Sequence, residues 1–457
     1  MTLRGDAVEA AFMAQFANVA LAALFVASAW AVGRSFSRRA GIVAGVLAAS
    51  TPWIAYLSGI AYVETGMLAM GMCALACLLH CDWSGPHASR WALTAGLLAG
   101  FACGFKYTAV VLIAAPLAMV PLIETGLSRR ALKHVTLFTL GAMITFAPWM
   151  IRNVVNTHNP VFPLAYSVFG AKSDTWDDEL EARWQRAHGP TDAESSEKSI
   201  TQTALDRTIR DKRIGWSLLV LAACGLAIRP NRRTWALVAM LAIQLAIWLM
   251  ATHLFARFAV VMLIPLIALA SQAGSFSRTA TWKIALCAVL IIGAGWNLYQ
   301  LSALYYHHTH TPPEGQPINA YGQTIWFTGG QWPGTAANAA INELSPGSRV
   351  MLIGEARTFY LNRPCVYAVT FNHHPLALAA RNDPSPAAII DWLRANKITH
   401  LLVHWAEIHR LRSTYGMDPE INAALLQKLI KTGLTETAAF QFENAGSPYA
   451  TLFKVSD

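Results

Sequence analysis

Ten apolar runs, near residues 10–33, 40–57, 63–80, 91–104, 107–123, 134–151, 215–228, 234–252, 257–273 and 282–301, fill the chain up to residue 301. Crossing a bilayer takes about 20 residues of α-helix, because the hydrocarbon core offers no partner to an unpaired peptide group. The expected fold is therefore an α-helical polytopic membrane protein with about ten transmembrane helices. Composition agrees, since 54% of the 457 residues are hydrophobic and only 13% are charged, against roughly 25% charged in soluble domains. The short runs 91–104 and 107–123 need neighbouring protein or a water-filled cavity to satisfy their backbone.

Basic residues in the loops set the orientation. Arg34, Arg38, Arg39, Arg90, Arg129, Arg130, Lys133, Arg229, Arg232, Arg233, Arg278 and Lys283 all fall in alternate short loops, whereas the short loops of the other side hold Lys106 and Arg257. The first set is expected in the cytoplasm. This asymmetry accounts for much of the formal charge of +9. Nucleic acid is not implied, because a basic recognition face needs soluble structure that these loops lack. The polar regions 152–214 and 302–457 then lie outside, so the expected domains are a membrane domain over 1–301, carrying the outer loop 152–214, and an extracytoplasmic domain over 302–457. Ten spans also put the N-terminus outside, which leads to the expectation that a helix precedes Met1 in a longer gene product; an in-frame stop codon just upstream would refute it.

Past residue 302 the patterning changes. "RVMLIG" (349–354), "THLLVHW" (399–405) and the final "YATLFKV" read as strands, "AAIIDWLRAN" (387–396) as an amphipathic helix and "INAALLQKLIKTG" (421–433) as a helix with a glycine cap. Alternating strands and helices predict a small soluble α/β domain. Gly354-Glu355 follows the first of these strands but belongs to no GxGxxG or GxxxxGK[ST] pattern, so it reads as an ordinary strand-to-helix turn.

Ionisable residues within the apolar part are the informative ones, since a charge near mid-bilayer costs at least about 2.5 kcal/mol. Glu64 stands in "YLSGIAYVETGMLAM" beside Tyr56, Ser58 and Tyr62, Lys106 in "AGFACGFKYTAV" beside Tyr107, and Arg257 in "HLFARFAVVMLIPL". An uncharged run from Val135 to Ile151 ends on Arg152 and Asn153, followed by Asn159-Pro160 and Phe162-Pro163. Each cation alone could snorkel to the interface. All five residues nevertheless share one depth on the outer side, and one carboxylate among several cations suits an anionic lipid headgroup. The aromatic and proline residues after Asn153 are expected to form a shelf at the interface, with Arg152 facing the headgroup.

The chain resembles the polytopic GT-C glycosyltransferases, in particular the protein mannosyltransferase and aminoarabinose transferase group. The resemblance lies in "RRAGIVAGVLAASTPWIAYLSGIAYVETGMLAMGMCAL", "LLAGFACGFKYTAV", "APWMIRNVVNTHNPVFPL" and "ARFAVVMLIPLIALA" followed by a soluble outer domain. It implies transfer of a sugar from a polyprenyl-phosphate carrier to a lipid, glycan or protein acceptor at the outer face of a bacterial-type inner membrane. It also implies that Glu64 is a catalytic residue, at the acidic position at the mouth of the helix pair, that Lys106 and Arg257 bind near the carrier phosphate, and that Arg152 and Asn153 are the "RN" ahead of the proline-rich loop. The family's acid on a first outer loop has no counterpart here; Asp6 and Glu9 are the local acids that could replace it.

The implied mechanism is inverting displacement at the anomeric carbon, a carboxylate taking the acceptor proton while cations hold the departing phosphate. A divalent ion could assist, with His307, His308 and His310, or His373 and His374, as ligands, against the plainer reading of an exposed histidine-rich linker. Two rival functions stand beside transfer: a lipid or lipid-linked-sugar flippase, expected to show inverted repeats and charges at mid-membrane, and a non-catalytic protein that binds lipid-linked sugar. Cys73, Cys77 and Cys81 share a helix face with His80, but thiols on one helix cannot close a tetrahedral metal site, so they read as small residues of a packed seam. The acidic stretch 174–197, with Trp176 and Trp184, reads as a solvated loop that could also cap the carrier site.

Overall fold

A computed structural model describes residues 7–60, 62–172, 176–188, 199–228, 231–252, 254–276, 279–310, 333–441 and 447–456. The chain divides into two compact units, one made of Met1–Gly170 with His188–Leu304 and the other of Ala171–Ala187 with Tyr305–Asp457.

The first unit is helical, and each of the ten apolar runs lies on helix. Ala10–Arg34, Arg129–Thr157, Arg232–Ala251, Ala256–Ser275 and Ala280–Ala303 are long and apolar enough to cross a membrane, and the pair Arg38–Ser50 and Pro52–Gly59, bent by 50° at Thr51, makes a sixth if counted as one span. The bend falls at Pro52, whose ring fits the first turn of the second helix but removes the N–H that a continuous helix would need. Glu64–His80, Val110–Thr125 and Trp216–Ile228 are shorter apolar helices. Val110–Ala114 is wound as a π-helix, and buried Gln244 donates from Nε2 to the Leu112 carbonyl there at 2.8 Å, which shows how a short, irregular run keeps its peptide groups bonded away from water.

Glycine lets the helices Ala88–Phe105 and Arg129–Thr157 pack closely. A Cβ on Gly96 of the helix Ala88–Phe105 would lie 2.0 Å from the Phe138 carbonyl oxygen, and one on Gly100 would lie 2.2 Å from that of Ala142. These backbones approach too closely for any larger residue, as in membrane packing by small side chains. Thr145 Oγ1 ties the pair by donating to the Leu97 carbonyl at 2.8 Å.

Two details correct the sequence reading of this unit. The helix that begins at Arg129 does not stop at Arg152; it runs to Thr157 and is capped by His158 in the left-handed region at φ 64°. His307, His308 and His310 belong to the long helix Ala280–His310, not to a linker.

The second unit holds a five-stranded mixed sheet: β1 (Val350–Ile353), β2 (Cys365–Val366), β3 (His400–Val403), β4 (Leu434–Phe440) and β5 (Ala450–Val455), in the order β2-β1-β3-β5-β4. β1 runs parallel to β2 and β3, and β5 antiparallel to β3 and β4. Alternation sends Met351, Ile353, Leu401, Val403 and Phe453 to one face, against Leu376, Ile390, Leu393 and Leu429 of three helices. Val350, Leu352, Leu402 and Leu452 go to the other face, against Ile341 of the helix Pro333–Glu343. With helices on both faces, β1 and β3 are buried along their whole length, which explains their unbroken apolar reading. Gly433 is not a left-handed cap: the helix Ala423–Gly433 passes directly into β4 through an extended Leu434.

Candidate functional site

The first unit places a break at the end of its helices opposite the basic loops. After Gly59 the chain turns back within a few residues and restarts as the helix Glu64–His80. Asn18, buried on the first helix, holds this break: its Nδ2 donates to the Leu57 carbonyl at 2.8 Å and reaches Thr65 Oγ1 at 3.3 Å. Glu64 is thereby fixed at the first position of its helix, where the N-terminal partial positive charge favours a carboxylate. Gly66 has no side chain to keep Phe105 away; a Cβ there would lie 2.3 Å from the Phe105 ring. The ring crosses at that point and brings the next residue, Lys106, against Glu64. An extended backbone at Lys106, where the helix Ala88–Phe105 ends, turns its side chain inward.

The result is a three-membered charge cluster. Lys106 Nζ lies 2.9 Å from Glu64 Oε1, and Arg257 Nε lies 3.3 Å from the same oxygen. The Glu64 side chain is only 3% exposed, while Lys106 and Arg257 are 19% and 35% exposed and so reach the open side. Arg257 Nε is buried without a hydrogen bond, so the guanidinium meets Glu64 as a charge rather than as an aligned donor. Aromatic rings lie beside both cations: Lys106 Nζ sits 4.0 Å from the centroid of Phe258, and the Arg257 guanidinium 4.7 Å from that of Tyr62. Two cations on one carboxylate leave an excess positive charge beside aromatic rings, which attracts a second anion.

Arg152 and Asn153 stand apart from that cluster. Arg152 is exposed and lies over Trp149 of its own helix at 5.1 Å. Buried Asn153 donates to the Pro160 carbonyl at 3.3 Å and braces the turn. The turn is organised by Asn159, wholly buried, which donates to the Leu164 carbonyl at 2.8 Å and accepts from Val161 N–H at 2.9 Å. Leu164, Val168 and Phe169 are left exposed.

Sequence reasoning passed over Arg213. Its guanidinium stacks 3.9 Å from Trp53 and is held bidentately by Asp211, at 3.0 Å for each bond. The signal was present: Arg213 stands just ahead of the run 215–228, as Arg257 opens the run 257–273. Asp6 lies outside the described residues, and Glu9 is in the first turn of the helix Ala7–Arg34.

A divalent ion finds no suitable ligands in the histidine pair. His374 spends both ring nitrogens, Nε2 donating to the Leu352 carbonyl and Nδ1 accepting from Leu376 N–H. His373 bridges Asp418 and Asp177 at 2.9 and 2.8 Å. Glu179, His373 and Asp418 do lie close enough to hold a metal, but Arg183 and Arg381 already supply positive charge to those carboxylates. The segment that bears Arg183 is therefore anchored, with Trp184 packed 4.8 Å from Phe371, and residues 176–188 are not the solvated loop expected of them. His80 is engaged elsewhere as well, its Nε2 donating to the Ala31 carbonyl at 2.8 Å, and Cys73, Cys77 and Cys81 are free thiols.

A helical membrane unit with a charged break at one end, joined to a small α/β unit, defines a multi-pass membrane protein. Residues 1–151 match the family model described as dolichyl-phosphate-mannose-protein mannosyltransferase. The fold is similar to the crystal structure of ArnT from Cupriavidus metallidurans bound to undecaprenyl phosphate, with a TM-score of 0.61 and 14% identity over 96% of this chain and 83% of that one. The apo form of the same protein gives a TM-score of 0.58 at 13% identity, with the same shares of both chains. The arabinofuranosyltransferase AftD from Mycobacteria gives 0.52 at 14% identity, over 95% of this chain and 35% of that one. No curated protein matches in sequence. The family model thus reaches residues 1–151, and over the rest of the chain the likeness to these membrane glycosyltransferases is one of fold.

Proposed function

We propose that this chain transfers a sugar from a polyprenyl-phosphate carrier to an acceptor at the extracytoplasmic face of a bacterial-type inner membrane, with the carrier phosphate held by Lys106 and Arg257. The observation that carries this reading is the Glu64 cluster, one buried carboxylate shared by two partly exposed cations. The acceptor oxygen attacks the anomeric carbon as the bond from that carbon to the phosphate oxygen breaks, and its proton passes to a base. Negative charge gathers on the departing phosphate, and fixed cations at that position lower the barrier because they need no reorganisation. Glu64 acts as a positioning residue: it sets the spacing of the two cations and offsets their mutual repulsion. The exposed Leu164, Val168 and Phe169 would rest against the interface. A cluster at helix ends favours transfer over transport, which would place ionisable groups at mid-membrane.

The test is transfer from a radiolabelled polyprenyl-phosphate sugar by membranes containing the chain or its Glu64→Gln and Lys106→Gln forms. Label should move to the acceptor fraction with the unaltered chain only. Equal transfer by all three would remove the cluster from the reaction; movement of labelled lipid across the membrane without transfer would make the chain a flippase.

A further inference from the structure

We infer that the first unit carries a second anion site at its opposite end, a cavity of about 910 Å³ that takes the phosphate of an anionic phospholipid headgroup. The helix Glu64–His80 joins the two places: it starts at the Glu64 cluster and its last residues, Leu79 and His80, line the cavity. At 1.5 Å per residue the two ends are about 25 Å apart.

The lining is basic, with Arg34, Arg130 and Arg233 facing one space. Asp82 accepts from Ser84 N–H at 3.0 Å and Glu124 pairs with Arg233 at 3.4 Å, and the three arginines outnumber these carboxylates. Arg34 and Arg130 have no ion pair among the described residues. Arg34 lies over Trp30 at 5.5 Å, and Arg130 stands in the first turn of the helix Arg129–Thr157, whose cap Ser128 also lines the cavity. First-turn N–H groups and the helix dipole add to the positive potential there. The volume is that of a small-ligand pocket. A lipid is favoured as the source of the phosphate because these residues sit where the basic loops meet the ends of apolar helices, beside Leu79 and buried Trp83; basic pockets between membrane helices on that side suit anionic headgroups. Inorganic phosphate would satisfy the same chemistry. The inference does not depend on the reaction proposed above.

Native mass spectrometry of the full-length chain in detergent, titrated with phosphatidylglycerol or phosphatidylcholine, tests it. The unaltered chain should retain phosphatidylglycerol selectively. An Arg34→Gln/Arg130→Gln double substitution should weaken that retention about thirtyfold, at roughly 1 kcal/mol per basic residue, without changing phosphatidylcholine. Arg34→Lys/Arg130→Lys keeps the charge and should retain the lipid, which separates loss of the site from loss of the fold. Release of lipid by millimolar inorganic phosphate, absent from the double Gln form, would keep the site but make free phosphate its ligand. Equal retention of both lipids, or of phosphatidylglycerol by unaltered and double Gln chains, would overturn the inference.

Discussion

Glu64 in the membrane unit and Asp418 in the C-terminal unit are both buried carboxylates that hold cations, and their surroundings are opposite in sign. Glu64 is shared by Lys106 and Arg257, so positive charge is in excess. Asp418 is contacted by Arg183 at 2.8 Å, by His373 at 2.9 Å and by Arg381 at 3.7 Å, and accepts the His374 backbone N–H at 2.6 Å. Its cations are in turn matched by Asp177, Glu179 and Glu420, which leaves a surplus of carboxylates. A saturated network of that kind fastens the segment 176–188 to the sheet unit and has nothing left to offer an anion. An unsaturated pair of cations does. Burial alone therefore does not mark a binding site; the unbalanced charge does.

Removing the centre of the saturated network is expected to have the largest effect. Asp418→Ala leaves Arg183, which is 3% exposed, with Glu179 at 3.1 Å as its ion-pair partner, and breaking a buried pair in this way costs about 3–5 kcal/mol. Denaturant unfolding of the chain should show that loss in the C-terminal unit while the helical unit keeps its own transition. A Asp418→Ala chain as stable as the parent would mean that the network is ornament to the fold.

Lys106→Gln comes next, and its effect is on the reaction rather than the fold. Taking away one fixed charge from a developing phosphate typically lowers kcat about 10²–10³-fold. Lys106 has Glu64 at hand as its partner, and Arg257 can still compensate that carboxylate, so melting temperature should hardly move. Glu64→Gln should cost transfer too, through misplacement of both cations, with KM for the carrier altered as well as kcat. If Lys106→Gln lowered stability and left transfer intact, Glu64 and Asp418 would belong to the same structural class after all.

The pH response separates the two regions further. Burial disfavours the imidazolium of His373, but hydrogen bonds to Asp418 and Asp177 overcome this and hold its pKa above the ordinary value. The stability it contributes is fully present below about pH 6.5, the unfolded value, and is lost as pH rises through the raised folded value. Asp418 behaves in the reverse sense: burial opposes its charge, the bonds from His374 N–H and Arg183 prevail, and its carboxyl lies below the usual range. Its contribution is present above the ordinary carboxylate value and lost as pH falls through the lowered one. Hydrogen exchange of amides 178–188, corrected for intrinsic chemistry, should show protection near pH 6 that weakens toward alkaline pH. Unchanged protection would mean that Arg183 alone holds the segment.

The two sites also differ in how far the sequence disclosed them. Glu64, Lys106 and Arg257 could be picked out because ionisable residues are rare and expensive in apolar runs, and because helix ends on one side share a depth. Nothing comparable marked Asp418: its partner Arg183 is 235 residues away, and both lie in polar stretches where charges are common. β4 escaped notice for a related reason. "LTETAAF" has little apolar character, and its strand conformation comes from pairing with β5. The helix Arg129–Thr157 outran its hydrophobic signal because its end is fixed by His158 rather than by the first charge. Periodicity reports burial, and these elements are set by pairing and capping instead.

The smallest effect is expected at Arg152, and it bears on where the unbalanced region ends. Arg152 was expected at the depth of the Glu64 cluster, yet it is exposed and rests on Trp149, and an exposed cation–π contact contributes only about 0.5–1 kcal/mol. Arg152→Ala should therefore weaken carrier binding no more than about fivefold, the range such a contact allows. The measurement is carrier affinity for Arg152→Ala beside Lys106→Gln in one membrane preparation. A loss at Arg152 equal to that at Lys106 would extend the cationic surface along the helix Arg129–Thr157, and the headgroup would then be gripped by the turn that Asn159 organises as well as by the Glu64 cluster. A loss confined to Lys106 and Arg257 would instead leave Arg152 as an anchor of that turn at the interface, where its charge meets water.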